Sequence, residues 1–102
     1  MKKVIANREI NVNEEGYLVD FKQWDREICE CIADECNVIM TEKHWEVVEY
    51  LQDKHHKEEP LSIRGIKKSG VINIKEFYKL FPGGPLKVST KIAGIPKPKS
   101  CI

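Results

Sequence analysis

Between Thr41 and Gly94 the sequence carries helix start and stop signals so closely spaced that only short helices fit between them. Thr41 is a good N-cap and Glu42 suits the first-turn dipole, while Trp45, Val48 and Leu51 recur at helical spacing. This predicts a helix to about Lys57, followed by a Lys57–Leu61 loop that contains Pro60. Ser62 caps a shorter segment bearing Ile63 and Ile66, which stops near Gly70. Asn73 caps the next, whose apolar set is Ile74, Phe77, Tyr78 and Phe81 before Pro82-Gly83-Gly84. Pro85 suits a first helical position and Gly94 a residue just past the end, so a last helix runs through Ala93. Short amphipathic helices are marginal alone and must bury their stripes against one another.

The first forty residues add two elements. Glu9 to Val12 alternates polar and apolar, Asn13-Glu14-Glu15-Gly16 signals a turn with Gly16 at positive φ, and Tyr17-Leu18-Val19 returns. An isolated hairpin is marginal, so it needs helices to pack on. Phe21, Trp24, Ile28, Cys31 and Ile32 then recur at helical spacing, predicting one helix from about Phe21 to Cys36. On that wheel Cys31 faces the core, and Cys29 and Cys36 lie together at the margin, as boundary packing or as sites of oxidation. The expected fold is α+β: an N-terminal β-hairpin packed on a small orthogonal helical bundle that contains a helix-turn-helix-like pair. A single domain is expected over residues 1–102, with residues 94–102 as a flexible C-terminal arm.

Composition narrows the function. A chain 41% hydrophobic and 32% charged reads as a soluble globular protein, and no apolar run approaches the length of a membrane span. Two lysines near the N-terminus lack the apolar stretch of a signal peptide behind them, so a cytoplasmic location is expected. The net charge of +1 conceals a split: residues 1–60 hold eight Lys/Arg against fifteen Asp/Glu, and residues 61–102 hold nine against Glu76 alone. The basic half suits a solvated face or an acidic partner. Cys29, Cys31 and Cys36 have no zinc-type spacing, so no metal or cofactor is expected. His44, His55 and His56 read as structural, the last two favouring the dipole at a helix C-terminus. Lys67, Lys68, Lys75 and Lys79 around Gly70 could touch phosphates, but no set of base-reading Arg, Asn or Gln accompanies them. A nucleic-acid-binding or regulatory module is therefore the alternative from another class.

The segment KIAGIPKPKSCI from Lys91 to Ile102 points elsewhere. Ile95-Pro96 and Lys97-Pro98 bias it toward an extended polyproline conformation, in which Ile95 to Ile102 reaches about 25 Å. Cys101 on a solvated arm can enter another protein's pocket while the body stays outside. An unperturbed thiol is only a few per cent thiolate at neutral pH. Lys97 and Lys99 favour the thiolate and the Ile102 carboxylate opposes it, both screened, so activation falls to the receiving pocket. That suits a carrier better than a stand-alone catalyst.

The stretch LFPGGPLKVSTKIAGIPKPKSCI resembles the C-terminus of the DsrC/TusE family of sulfur carriers, with its LFP-x-GP, KIAG-hydrophobic-PKP and near-terminal Cys. EEGYLVDFKQWDREICECIADECNV is similar to that family's Gly-aromatic-Leu and Trp-containing segment, and MTEKHWEVVEYLQD to its Thr-Glu-x-His-Trp helix. The likeness spans roughly Arg8 to Ile102. It implies that Cys101 carries sulfane sulfur as a persulfide between donor and acceptor proteins, such as sulfurtransferases, a tRNA-thiolating enzyme or a sulfite reductase. Lys91 matches the family's basic residue before Ile-Ala-Gly, and Lys91, Lys97 and Lys99 are the candidate binding residues. Members that work with dissimilatory sulfite reductase have a second cysteine where this chain has Thr90, which cannot form a disulfide or trisulfide. The resemblance therefore implies a one-cysteine, TusE-like relay, and a monomer without membrane partners is expected. A gamma-type partner of sulfite reductase is the alternative within the family.

Overall fold

Ala6 and Asn7, at φ of 53° and 62°, reverse the chain in a two-residue turn and set up the sheet. Both central residues in the left-handed region is the turn geometry that matches the twist of paired strands. The computed structural model describes residues 1–97 and contains two strands and five α-helices. Strand β1 (Lys2–Ile5) pairs antiparallel with β2 (Arg8–Asn11), with Lys3 opposite Ile10 and Ile5 opposite Arg8. Ile5 and Ile10 are the buried members and face the helices.

This corrects the hairpin read from the sequence. The stretch expected to pair with Tyr17–Val19 pairs instead with the N-terminus, and only a single bridge, Val12 to Leu18, joins the second arm. The Asn13–Gly16 turn exists, with Gly16 at φ +86°. Asn13 Oδ1 accepts the amides of Glu15 and Tyr17 at 2.9 and 3.0 Å while the Asn13 amide donates to the Tyr17 carbonyl at 2.9 Å, so side chain and backbone together close the turn.

The first helix also starts later than its spacing suggested. Asp20 caps a short 3₁₀ turn, Phe21–Gln23, after which Trp24 is extended. Asp25 then opens α1 (Arg26–Glu35) by accepting the Ile28 amide at 2.9 Å. The break resets the helical phase. Counted from Asp25, the buried face is Ile28, Cys29, Ile32 and Ala33, and Cys31 turns to a half-buried flank. The expectation that Cys31 is the core cysteine and Cys29 a boundary residue is thus reversed: Cys29 is fully buried.

Helix α2 (Glu42–His56) begins at Thr41 as expected. His44 Nδ1 accepts the Thr41 amide at 3.1 Å, which places the ring proton on Nε2, 3.0 Å from the Leu80 carbonyl it donates to. A buried histidine thereby ties α2 to the end of α4. The core face of α2 is His44, Val47, Val48 and Leu51, while Trp45 is half-buried beneath the Arg26 guanidinium, 4.3 Å from the ring centroid.

The remaining helices follow their caps. Ser62 accepts from Gly65 to open α3 (Ile63–Ser69), which ends on Gly70 at φ +75°. Asn73 accepts from Glu76 to open α4 (Ile74–Leu80), on which Phe77 is fully buried but Tyr78 is exposed. These two packed helices form the expected helix-turn-helix-like pair. Pro85 opens α5 (Pro85–Ile92), against which α1, α2 and α4 all pack. Leu86, Ser89, Thr90 and Ile92 are buried on it, which makes α5 the centre of the core. Among the described residues no helix is long and apolar enough to cross a membrane.

Candidate functional site

The end of α5 fixes where the C-terminal segment leaves the body. With Ala93 as C-cap, Gly94 takes φ +73°, its amide reaching the Lys91 carbonyl and the Ile95 amide the Thr90 carbonyl, each at 3.2 Å. Those two bonds form a Schellman motif, and a positive φ at its first residue beyond the cap selects glycine. Packing selects it as well. A Cβ on Gly94 would lie 2.3 Å from Trp24 Cδ1. Trp24 Nε1 donates to the Ile92 carbonyl at 2.9 Å, and Gln52 Nε2 to the Ala93 carbonyl at 2.8 Å. The last carbonyls of α5 are thus satisfied by side chains from the Phe21–Asp25 segment and from α2.

Ile95 is fully buried and belongs to the core cluster. The sequence reading placed it at the base of a solvated arm; the chain instead emerges at Pro96, one residue later, because an apolar residue beyond a Schellman turn packs back on the helix. Burying an isoleucine contributes about 1.5–3 kcal/mol, so the exit point is well anchored. Thr90, where the resemblance implies a second cysteine in members that work with sulfite reductase, is also fully buried, its hydroxyl donating to the Leu86 carbonyl at 2.7 Å.

Beside this exit lies a shallow cavity of about 260 Å³ between α5, the end of α1 and the Asn13–Tyr17 turn. Glu15, Tyr17, Cys36, Lys87 and Lys91 line it. Tyr17 donates its hydroxyl to the Lys87 carbonyl at 2.9 Å, and the Lys91 side chain passes over Gly16, where a Cβ would meet Lys91 Cε at 3.0 Å. Lys97 closes the rim through an ion pair with Glu15 at 2.9 Å. That bond holds the Glu15 carboxyl below its ordinary range, with the charges of Lys97, Lys87 and Lys91 adding to the effect. Of the candidate residues read from the sequence, Lys91 and Lys97 are therefore brought to one rim, while Lys99 and Cys101 lie outside the described residues.

The other cysteines differ in environment. Burial pushes the Cys29 thiol up to about 12. Burial also raises Cys36, opposed by the charge of Lys91. Cys36, Glu15 and Lys87 were not singled out as site residues from the sequence, because only the fold brings them together; the four-residue spacing of Lys87 and Lys91 was the one local signal. Among the described residues no group of three or more His, Cys, Asp or Glu is placed to hold a metal ion.

The charge split of the sequence is also a split in pairing. Lys2, Lys3, Arg8, Lys43, Lys54 and Lys57 each meet an acidic partner from the same N-terminal half. Arg64, Lys67, Lys68, Lys75 and Lys79 are exposed on α3 and α4, and the described ion pairs include none of them.

Comparison with known proteins covers the whole chain. A family model described as "DsrC like protein" matches residues 4–102. A protein of Escherichia coli K12 named Sulfurtransferase TusE is 35% identical over 107 aligned positions, spanning 97% of this chain and 98% of the relative. Its counterpart in Pectobacterium atrosepticum is 36% identical, over 93% of this chain and 94% of its own. Among solved structures, the NMR structure of Allochromatium vinosum DsrC superposes with a TM-score of 0.84 at 28% identity, covering all of both chains. The oxidized gamma-subunit of the dissimilatory sulfite reductase (DsrC) from Archaeoglobus fulgidus gives 0.79 at 31%, again over all of both chains.

Proposed function

This chain belongs to the DsrC-like family, and on that premise we propose that it is a cytoplasmic sulfur carrier, loaded as a persulfide on Cys101 and discharged to an acceptor on another protein. The observation that carries the reading is continuity: the family match runs through residue 102, and the described part of the arm leaves a body built to aim it. Gly94 and Trp24 set the direction, and buried Ile95 holds the root of the segment that leads toward Cys101. The carrier itself supplies little activation to the thiol, in keeping with a monomeric delivery protein whose chemistry is completed in a partner's pocket.

The relatives named Sulfurtransferase TusE favour a relay toward tRNA thiolation over the sulfite-reductase cycle. Thr90 supports the same choice. Its hydroxyl is spent on the Leu86 carbonyl inside the core, so position 90 offers neither a thiol nor an exposed group. Lys91 and Lys97 at the rim, with Lys99 further along, are positioned in sequence to guide the arm toward an acidic pocket mouth.

The test is to load the protein with a persulfide donor and map single-sulfur additions by peptide mass spectrometry, then add a tRNA-thiolating enzyme. Loading at Cys101 that disappears in Cys101→Ala and passes to the enzyme is the expected result. Undiminished loading of Cys101→Ala, or equal loading of Cys29, would overturn the reading.

A further inference from the structure

Helices α3 and α4 turn the same pattern outward. Each has one buried residue near its middle, Ile66 on α3 and Phe77 on α4. Two positions before that residue, one after and two after, α3 carries Arg64, Lys67 and Lys68, and α4 carries Lys75, Tyr78 and Lys79. On an α-helix those offsets fall on one flank and on the side away from the core. All six side chains are exposed. Glu76, half-buried, is the sole acidic residue of the sequence from 61 to 102, and the described ion pairs include none of the five cations. In the N-terminal half, by contrast, lysines such as Lys43 and Lys57 are neutralised by Glu46 and Asp53. Clustered charge of one sign, left unneutralised at the surface, attracts a partner of the opposite sign.

The composition of the face selects the kind of partner. The centre of a protein–protein interface is apolar and depleted in lysine. Here lysine is the majority, and Tyr78 is the one large apolar side chain exposed on the two helices. Cations spaced over a surface without an apolar centre suit a run of phosphodiesters instead. Asn73 is the only Asn or Gln from 63 to 80, and its Oδ1 is occupied by the Glu76 amide at 2.8 Å, so no side-chain amide is left to read base edges. Tyr78 stands between Lys75 and Lys79 on the same outer side of α4 and is 46% exposed. An aromatic ring so placed stacks on an unpaired base, which a folded RNA offers and a continuous duplex does not. We infer that the outer face of α3 and α4 is a docking surface for folded RNA, with the five cations on phosphates and Tyr78 on a base. The inference deepens the relay reading and rests on it for the source of the RNA. A carrier serving tRNA thiolation meets its acceptor with the RNA in place, and a second contact to that RNA adds to the hold on the enzyme.

The experiment titrates unloaded full-length protein into fluorescently labelled bulk tRNA, with no sulfur donor and no enzyme, and reads anisotropy. Expected is binding at low ionic strength that weakens about a hundredfold between about 50 and about 200 mM salt, as counterion release from four or five phosphates requires. Lys67→Gln, Lys68→Gln, Lys75→Gln and Lys79→Gln should each flatten the log–log salt slope by about one, and the four together should weaken binding at least about a hundredfold. Tyr78→Ala should weaken binding about tenfold and leave the slope as it was, a split that charge alone does not produce. Lys43→Gln combined with Lys57→Gln is the control and should bind as the wild type does, with thermal unfolding showing that every variant is folded. No binding at low salt overturns the inference, as does an unweakened fourfold variant, a control that weakens equally, or Tyr78→Ala binding as the wild type. Duplex DNA bound as tightly as tRNA overturns it as well, and polyglutamate competing as well as tRNA would give the face to an acidic protein. None of these measurements involves sulfur, so each such failure leaves the carrier reading standing, and failure of Cys101 to load would overturn that reading without altering the RNA result.

Discussion

The turn that launches the arm and the rim two residues beyond it hold the same stretch of chain by opposite means. At the root, Gly94 lies flat against Trp24, Ile95 is buried, and the last carbonyls of α5 are capped by indole and amide donors. At the rim, Lys97 meets Glu15 through side chains that are 36% and 53% exposed, where solvent and salt screen most of the attraction. The root is shape, which fixes direction and resists change; the rim is charge, which biases position and yields easily. A carrier needs both. An arm loose at its root would search too large a volume, and an arm fixed at its rim could not leave for a partner.

The sharpest way to break this comparison is Gly94→Ala. The new Cβ meets the Trp24 ring, and alanine is forced to φ +73°. Left-handed strain and overpacking together cost about 2–5 kcal/mol. Denaturant unfolding followed by tryptophan fluorescence should show the loss directly. A change below about 1 kcal/mol would mean that the root is not locked in the way described.

Next in size is a contrast within α1, whose two ends serve the two regions: Cys29 in the core and Cys36 at the cavity. Cys29→Ser leaves a hydroxyl in an apolar site and should cost about 1–3 kcal/mol, with Cys36→Ser costing less. Without denaturant, alkylation should reach Cys29 last of all, both because it is sealed and because its thiol is pushed up to about 12. If Cys31 proves slower than Cys29, the helix begins before Asp25 after all.

That cysteine order shows what the sequence could and could not reveal. Helices α3, α4 and α5 were legible because Ser62, Asn73 and Pro85 act on the amides or torsions directly beside them. Helix α1 was misphased because Phe21 and Trp24 happen to sit at helical spacing from Ile28, and the Asp25 cap that separates them is a local event hidden inside a longer pattern. Strand β1 was missed because its turn is Ala6-Asn7 and not the familiar Asn-Gly. Ile95 looked like arm because Pro96 and Lys97 follow it, yet the Schellman turn folds it inward. The cavity was illegible for a different reason: Glu15, Cys36 and Lys91 are distant in sequence and meet only through tertiary packing.

On the rim side, charge should tune association while hardly touching stability. With Lys91 and Lys97 both changed to Gln, sulfur transfer to an acceptor should slow about tenfold at low ionic strength, with unfolding free energy within about 0.5 kcal/mol of wild type. Added salt should slow the wild type toward the variant and leave the variant nearly unchanged. Salt sensitivity that persists in the variant would move the guiding charge to the exposed cations of α3 and α4 and away from the rim.

The smallest effect belongs to Glu15, and it tests the rim alone. Its carboxyl titrates below the ordinary range in the folded protein, first through the hydrogen bond from Lys97 and then through the charges of Lys97, Lys87 and Lys91. A depressed folded-state value means that the ionised form is favoured by folding. The contribution is therefore present above the unfolded carboxylate range and lost as pH falls through the lowered folded value. Because the group is open to solvent, the stability change should be slight, and the measurement is the titration itself. Carboxyl NMR of Glu15 should give a midpoint below that of an unfolded-chain glutamate. Lys97→Gln should move it most of the way back, Lys87→Gln and Lys91→Gln less, because only Lys97 donates a bond. High salt should shrink the lysine contributions without unlocking Gly94 from Trp24. If Lys97→Gln leaves the midpoint where it was, the ion pair does not hold the arm, and the rim loses its part in the comparison.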